Sequence, residues 1–170
     1  ADLAIAVLGT AAQRRHAAEL AAYVAWVNGA RLPDRKKRSD ASALRTIRLY
    51  GHREAAGYSR QRAIAEANLL CRELTVLPPN ELTPGVYRQR VRRLARQSGW
   101  RYEEYDMKRL RRMGAGAFVA VAQGSAEEDA AIVHLRHRHP GARKTVALVG
   151  KGICFDTGGL DLKPSAGMRL

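Results

Sequence analysis

The chain has 170 residues and a mass of 18.7 kDa, with 46% hydrophobic and 27% charged residues. This length and composition are typical of a folded protein and exclude the disordered, collagen-like and disulfide-stapled classes. The 30 Lys and Arg against 16 Asp and Glu give a formal net charge of +14, and 24 of the 30 are Arg. Two interpretations of this charge stay open, because an excess of Arg and Ala is also what a coding bias produces: an ordinary solvated surface, or one that binds nucleic acid.

The cysteines and apolar runs predict a cellular compartment. Cys71 and Cys154 stand far apart and indicate neither a disulfide framework nor a zinc finger, so we expect a reducing, cytoplasmic environment. No apolar run approaches the roughly 20 residues that cross a bilayer, and the first residues lack the basic region of an export signal, so we expect no membrane association. Because the chain starts without Met and ends directly after a motif, we expect it to be an interior piece of a longer protein.

The first 50 residues predict a strand, a helix and a second strand. The apolar run at residues 3–8 predicts a strand, and apolar residues at helical spacing predict a helix over residues 11–26. Residues 34–40 form a basic loop, which we interpret as solvated because no aromatic residues interleave its charges. Residues 43–50 alternate apolar and polar side chains, as an edge strand does.

A longer helix is predicted over residues 59–77, ending before Pro78 because proline disfavours helical geometry just ahead of itself. We interpret this helix as a connector between two domains. We expect Cys71 to be a buried, unreactive residue on its apolar stripe. The stripe comprises Ile64, Ala67, Cys71 and Leu74.

Beyond the connector, helices and strands alternate. Thr83 and Pro84 form a good helix start, and Gly99 a plausible end. Residues 107–113 predict a short helix, and strands are predicted at residues 100–105, 117–122, 130–135 and 145–149. Because two of these strands are nearly all apolar, we predict an α/β fold with a mainly parallel sheet flanked by helices. Ligands of such sheets bind beyond the carboxyl ends of the strands, which directs attention to the loop after Val149.

The common nucleotide-binding and metal-binding motifs are incomplete in this sequence. Gly150-Lys151-Gly152 lacks the Gly and the Ser or Thr that a Walker loop needs, and no GxGxxG pattern is complete. His134, His137 and His139 match no defined ligand spacing, so we expect them on an exposed strand end and loop. From spacing alone, the glycine-rich residues 149–168 are as well explained by a tight connection with ordinary surface charges as by a site.

Residues 151–166 read Lys-Gly-Ile-Cys-Phe-Asp-Thr-Gly-Gly-Leu-Asp-Leu-Lys-Pro-Ser-Ala. This segment closely resembles the metal-site signature of the leucine aminopeptidase family, cytosolic dinuclear-metal peptidases with a bilobal α/β fold. Shorter stretches at residues 68–74, 77–84 and 114–125 resemble the same family. The resemblance implies three parts in this chain: the end of a smaller amino-terminal α/β domain, a connector helix, and the first part of the catalytic domain, at residues 1–58, 59–77 and 78–170.

The resemblance also implies residue roles. Lys151 would ligate one metal through its amine, Asp156 would bridge both metals, and Lys163 would be the catalytic lysine that polarises the scissile carbonyl. Two adjacent divalent cations can displace the proton of a lysine, and a carboxylate between them offsets part of their repulsion. A cationic Lys163 would stabilise the oxyanion of the tetrahedral intermediate. Cys154 is interpreted as packing beside Asp156.

The family resemblance implies two divalent metal ions, of Mn, Zn or Mg, peptide substrates with a leucine-type amino-terminal preference, and a homohexamer. The family's other ligands, two further Asp and a Glu, and an Arg that accompanies them, have no counterpart in these 170 residues. We therefore expect this chain alone to bind metal poorly and to lack peptidase activity. The alternative, from another class, is a non-catalytic nucleic-acid-binding protein on the same scaffold, which the charge of +14 would suit.

Overall fold

The computed structural model describes residues 1–35, 43–125, 127–159 and 161–169, so most of the predicted basic loop at residues 34–40 lies outside the described residues. The chain divides into two compact units, Ala1–Leu77 and Pro78–Leu170. The first unit contains β1 (Asp2–Ala6), α1 (Ala11–Gly29), β2 (Thr46–Tyr50) and α2 (Ser59–Val76). The second contains α3 (Pro84–Gln97), β3 (Arg101–Asp106), α4 (Met107–Arg112), α5 (Gly116–Ala122), β4 (Ala131–Arg136) and a final 3-10 turn (Gly167–Arg169).

The first unit begins with a strand, a helix and a parallel strand. β1 and β2 pair in register from Asp2 opposite Thr46 onward, and α1 connects them, as a parallel pair requires. Thr10 and Gln13 form a capping box at the start of α1, in which each side chain bonds the other residue's backbone N–H. The buried face of α1 carries only small side chains: Ala18, Ala22 and Ala25. These elements confirm the predicted strand, helix, strand order.

The helix α2 is confirmed, but its predicted buried stripe is wrong. The face that packs on α1 contains the buried Ala65, Asn68, whose amide donates to Tyr23 at 2.9 Å, and Arg72. Arg72 donates to the Val27 carbonyl at 2.6 Å. These positions are rotated by about one residue from the apolar stripe, so Ile64, Ala67 and Cys71 are exposed in this structure.

The helix α3 begins and ends where local signals predict. The Thr83 hydroxyl accepts a hydrogen bond from the Val86 N–H at 3.3 Å, and Pro84 occupies the first helical position. Gly99, with a φ of +67°, follows the helix in the left-handed region that glycine tolerates. Ala95 is fully buried.

The sheet of the second unit differs from the expectation. β3 and β4 pair in antiparallel fashion, from Arg101 opposite Arg136 to Asp106 opposite Ala131. The predicted strand at residues 117–122 is wrong, because this short apolar run forms α5; apolar content alone does not distinguish a buried strand from a helix. The α/β class is confirmed, with a parallel pair in the first unit and an antiparallel pair in the second.

The predicted strand at residues 145–149 is also absent. All five residues are described and lie outside any strand, and Val146, Leu148 and Val149 are 80%, 93% and 99% exposed. A strand needs a neighbour to satisfy its backbone groups, and no described residue provides one here.

Among the described helices, none combines the length and the apolar character needed to cross a bilayer.

Candidate metal and catalytic site

A tight turn shapes the carboxyl-terminal part of the signature segment, which we define as residues 151–166. Gly158 and Leu162 form an antiparallel bridge, and the Lys163 N–H donates to the Thr157 carbonyl at 2.9 Å. Gly158 has a φ of +99°, and a Cβ there would lie under 3.0 Å from the Asp161 carbonyl oxygen. This position therefore requires glycine, because a side chain would meet backbone that cannot rotate away.

The turn brings Asp156 and Lys163 into direct contact. The Lys163 ammonium lies 3.1 Å from Asp156 Oδ2 and donates to the Asp156 carbonyl at 3.3 Å. The Gly158 N–H donates to Asp156 Oδ1 at 2.9 Å. Both carboxylate oxygens therefore face a hydrogen-bond donor, and both side chains remain partly open to solvent.

These contacts keep the Asp156 carboxylate charged. The hydrogen bond from Gly158 contributes most to holding the pKa of Asp156 below its ordinary value, followed by the hydrogen bond and the charge of Lys163. Lys151 lies exposed at the start of the segment, and its charge lowers the pKa of Asp156 further. Thus the structure pairs Asp156 with Lys163 and places Lys151 near enough to act on Asp156 through its charge.

Cys154 lies between Lys151 and Asp156 in the sequence, and its surroundings favour the neutral thiol. Its thiol is partly buried and points toward the Gly152 carbonyl at 4.0 Å. Burial, and then the negative charge of Asp129, raise the pKa of the Cys154 thiol. A neutral thiol agrees with the interpretation of Cys154 as a packing residue.

The second unit contains a polar network that the sequence did not predict. Arg88 donates to Glu104 and to the Asp129 carbonyl, and Tyr102 also donates to Glu104. Burial raises the pKa of Glu104, but these hydrogen bonds and the charges of Arg88 and Arg92 outweigh it, so the pKa is lowered. Partners separated by 16 and 41 positions leave no local signal that a sequence pattern could have revealed.

The three histidines near the end of β4 lie on an exposed strand end and loop, as the sequence predicts. His134 lies on β4 opposite Glu103 with its Nδ1 3.8 Å from the Glu103 carboxylate, and its side chain is exposed. His137 and His139 follow the end of β4 and are also exposed. Within the described ranges, no three His, Cys, Asp or Glu side chains gather into a metal site.

The donors of the signature segment fit part of a metal site. A charged carboxylate is a preferred oxygen ligand for divalent cations, and a lysine amine can add a nitrogen once it is deprotonated. Asp156 and Lys151 offer one donor group of each kind, which is fewer than the four to six ligands that such ions take. The described residues therefore provide a partial set.

Comparison with known proteins identifies the family. The sequence profile of the catalytic domain of the cytosol aminopeptidase family matches residues 69–170. The chain belongs to this family. The family resemblance of residues 151–166 is thereby confirmed.

Individual relatives agree with this membership. The chain is 39% identical over 140 residues to a probable cytosol aminopeptidase of Methylobacterium radiotolerans, a match that covers 79% of this chain and 27% of the relative. Among solved structures, it is similar to the apo leucyl aminopeptidase of Trypanosoma cruzi, with a TM-score of 0.81, 26% identity, and coverage of 98% of this chain and 32% of that one. It is also similar to the bottromycin maturation enzyme BotP in complex with Mn, with a TM-score of 0.74 and 31% identity, covering 97% and 35%.

The chain is much shorter than the relatives that it matches. It spans about a quarter to a third of the proteins that it matches. The family membership and the α/β fold follow from the comparisons.

Proposed function

We propose that this chain is part of a metal-dependent aminopeptidase that releases amino-terminal residues from peptides, with a preference for leucine-type residues. The observation that carries the proposal is the contact of Asp156 with Lys163 across the Gly158 turn, within a segment that the family profile matches. A charged carboxylate and an ammonium held at 3.1 Å give one group for a cation and one for a developing negative charge.

Each residue has a distinct role in this proposal. Lys151 and Asp156 would hold two divalent ions, of Mn, Zn or Mg, and such ions supply an activated water when bound. The Gly158 N–H fixes one carboxylate oxygen of Asp156 and so orients the other. The Lys163 ammonium would direct its positive charge at the substrate carbonyl oxygen, where negative charge develops as the peptide bond is attacked.

The wider assignment is part of the same proposal. Residues 1–58 would be the end of a smaller amino-terminal domain, 59–77 a connector helix, and 78–170 the first part of the catalytic domain. A homohexamer is proposed from the family resemblance alone. A cytoplasmic location is proposed from the same resemblance, and relatives named cytosol aminopeptidase support it. The Mn complex of BotP supports a divalent metal.

We also propose that the 170-residue chain is inactive by itself. The donors among the described residues fill only part of a dinuclear site, and the remaining carboxylates would come from the two thirds or more of the relatives' length that the match does not cover.

Hydrolysis of leucine p-nitroanilide with Mn²⁺ or Zn²⁺ tests the proposal, on this chain and on the full-length protein that contains it. We expect turnover only from the full-length protein. Lys163→Met and Asp156→Asn should abolish it, whereas Lys108→Met and Asp161→Asn, which change exposed residues of the same two types, should not. Turnover by the 170-residue chain would contradict its proposed inactivity, and an active Lys163→Met variant would contradict the role of Lys163.

Nucleic-acid binding remains the alternative, on the net charge of +14. Part of that charge is engaged within the second unit, where Arg88 and Arg92 pair with Glu104, and Arg111 pairs with Glu128. Phosphate contacts make affinity fall steeply with salt. Retention on a DNA column that is lost between 50 and 200 mM salt would favour the alternative, and no retention at low salt would remove it.

A further inference from the structure

The first turn of α3 is held by a residue that lies two positions before β4. The partly buried Asp129 accepts, through Oδ2, a hydrogen bond from the Gly85 N–H at 2.6 Å. The backbone carbonyl of Asp129 accepts a hydrogen bond from Arg88 Nη1. We call Gly85, Arg88 and Asp129 the α3 clamp. The clamp joins the start of α3 to the segment that leads into β4.

The α3 clamp is closely packed. A Cβ at residue 85 would lie 2.5 Å from Asp129 Oδ2, so the carboxylate rests directly on the helix backbone. A negative charge at a helix N-terminus is also favourable, because the first N–H groups have no partner within the helix. The other oxygen of Asp129, Oδ1, is buried and has no hydrogen-bond partner among the described residues. The Asp129 side chain therefore binds the start of α3 through Oδ2.

The same turn of α3 reaches the signature segment. A Cβ at Gly152 would lie 3.3 Å from Tyr87 Cε1, so the ring of Tyr87 limits how close the backbone at residue 152 can come. Gly152 directly follows Lys151 and lies four residues before Asp156. Contacts therefore lead from Asp129 to α3, and from α3 to the backbone between the two proposed metal ligands.

We propose that Asp129 is a positioning residue of the metal site: by holding the first turn of α3, it sets, through Tyr87 and Gly152, the path of the chain that carries Lys151 and Asp156. The inference rests on the proposed function of these two ligands. Asp129 itself lies outside the signature segment and touches neither metal nor substrate in this role.

The test compares Asp129→Ala with Asp129→Asn and with Asp106→Ala in the full-length protein. Asp106 is a matched control, because its carboxylate accepts from the Arg109 N–H at 2.7 Å and caps α4 rather than α3. Asparagine keeps an acceptor oxygen for the Gly85 N–H but carries no charge. Asp129→Asn therefore separates the effect of the hydrogen bond from the effect of the negative charge. The readouts are hydrogen–deuterium exchange of the metal-free protein and the affinity for Mn²⁺ alone.

We expect Asp129→Ala to speed exchange at residues 84–88 and 150–156 and to weaken Mn²⁺ binding about tenfold, the usual effect of losing a residue that supports a ligand. Asp129→Asn should restore both readouts. Asp106→Ala should speed exchange at residues 106–112 only, with Mn²⁺ affinity unchanged. Unchanged exchange at residues 150–156 in Asp129→Ala would overturn the proposal, and so would an Asp129→Asn variant that behaves like Asp129→Ala.

A second pair of variants serves if Asp129→Ala does not fold. Tyr87→Leu removes the ring edge that meets Gly152 and should speed exchange at residues 150–156, whereas Tyr87→Phe keeps that edge and should not. Equal exchange in the two variants would overturn the proposal. A wild-type protein that binds no Mn²⁺ would contradict the proposed function, while the exchange data would still decide whether Asp129 positions the segment.

Discussion

The Gly158 turn offers the sharpest test of how the signature segment holds its charged residues. Gly158→Ala places a Cβ under 3.0 Å from the Asp161 carbonyl oxygen and 3.2 Å from the Lys163 backbone nitrogen, at a φ of +99°. Because both neighbours are backbone atoms, the turn must open or remain strained. A residue held in such a conformation costs about 1–3 kcal/mol. The neighbouring Gly159→Ala is a matched control, since a Cβ there meets no heavy atom of the described residues within 4 Å.

The expected consequence is a loss of the contact between Asp156 and Lys163. If the turn must close for the metal to bind, a cost of about 1–3 kcal/mol lowers the Mn²⁺ affinity roughly 5- to 150-fold, because each 1.4 kcal/mol is a factor of ten. Gly159→Ala should change the affinity by less than about threefold. Titration of the full-length protein with Mn²⁺ measures both variants, and leucine p-nitroanilide turnover should fall in parallel. Equal affinities for Gly158→Ala and Gly159→Ala would refute the reasoning.

Three further predictions concern charge, packing and exposure. Lys163→Met should raise the pKa of Asp156, measured by NMR titration, whereas Lys163→Arg should largely preserve it. Because the folded-state pKa is lowered, the stabilisation from Asp156 is present above its unfolded pKa and is lost as the pH falls through the folded value; in Lys163→Met this stabilisation should be smaller and its loss should be complete at a higher pH. Arg88→Met should destabilise the chain by about 1–3 kcal/mol in urea denaturation, since it removes a donor from the Glu104 carboxylate, whose side chain is only 14% exposed. Arg62→Met, which breaks an exposed ion pair, should cost less than about 1 kcal/mol. Similar losses of stability in the two variants would contradict this distinction. We expect the exposed apolar run at residues 146–149 to make the 170-residue chain self-associate, as measured by light scattering, and Leu148→Lys to reduce this association; equal scattering of the two chains would contradict the expectation.

The contact between α3 and Asp129 illustrates what sequence patterns miss. The start of α3 was predictable because Thr83 and Val86 are three residues apart, and a helix cap forms within that distance. The second hold on the same turn comes from Asp129, 44 positions away, where a single acidic residue before a strand has no distinguishing pattern. Long-range polar contacts of this kind depend on how the elements pack.

Burial was also decided by packing. The apolar stripe of α2 predicted that Cys71 is buried, yet α1 meets α2 through Ala65, Asn68 and Arg72, because their hydrogen bonds and the small side chain fit its surface. The thiol of Cys71 is exposed as a result. Hydropathy at helical spacing indicates that a helix has an apolar face, but not which face its neighbour covers.

The sequence by itself determined the local features of this protein. These are the start of α1, both ends of α3, and the family to which residues 151–166 point, because each depends on residues a few positions apart. Only the tertiary structure decided that β3 and β4 are antiparallel, that residues 117–122 are helical, and that Arg88 of α3 pairs with Glu104 of β3. Strand partners and ion pairs are chosen by packing between distant segments, for which the sequence carries no fixed spacing.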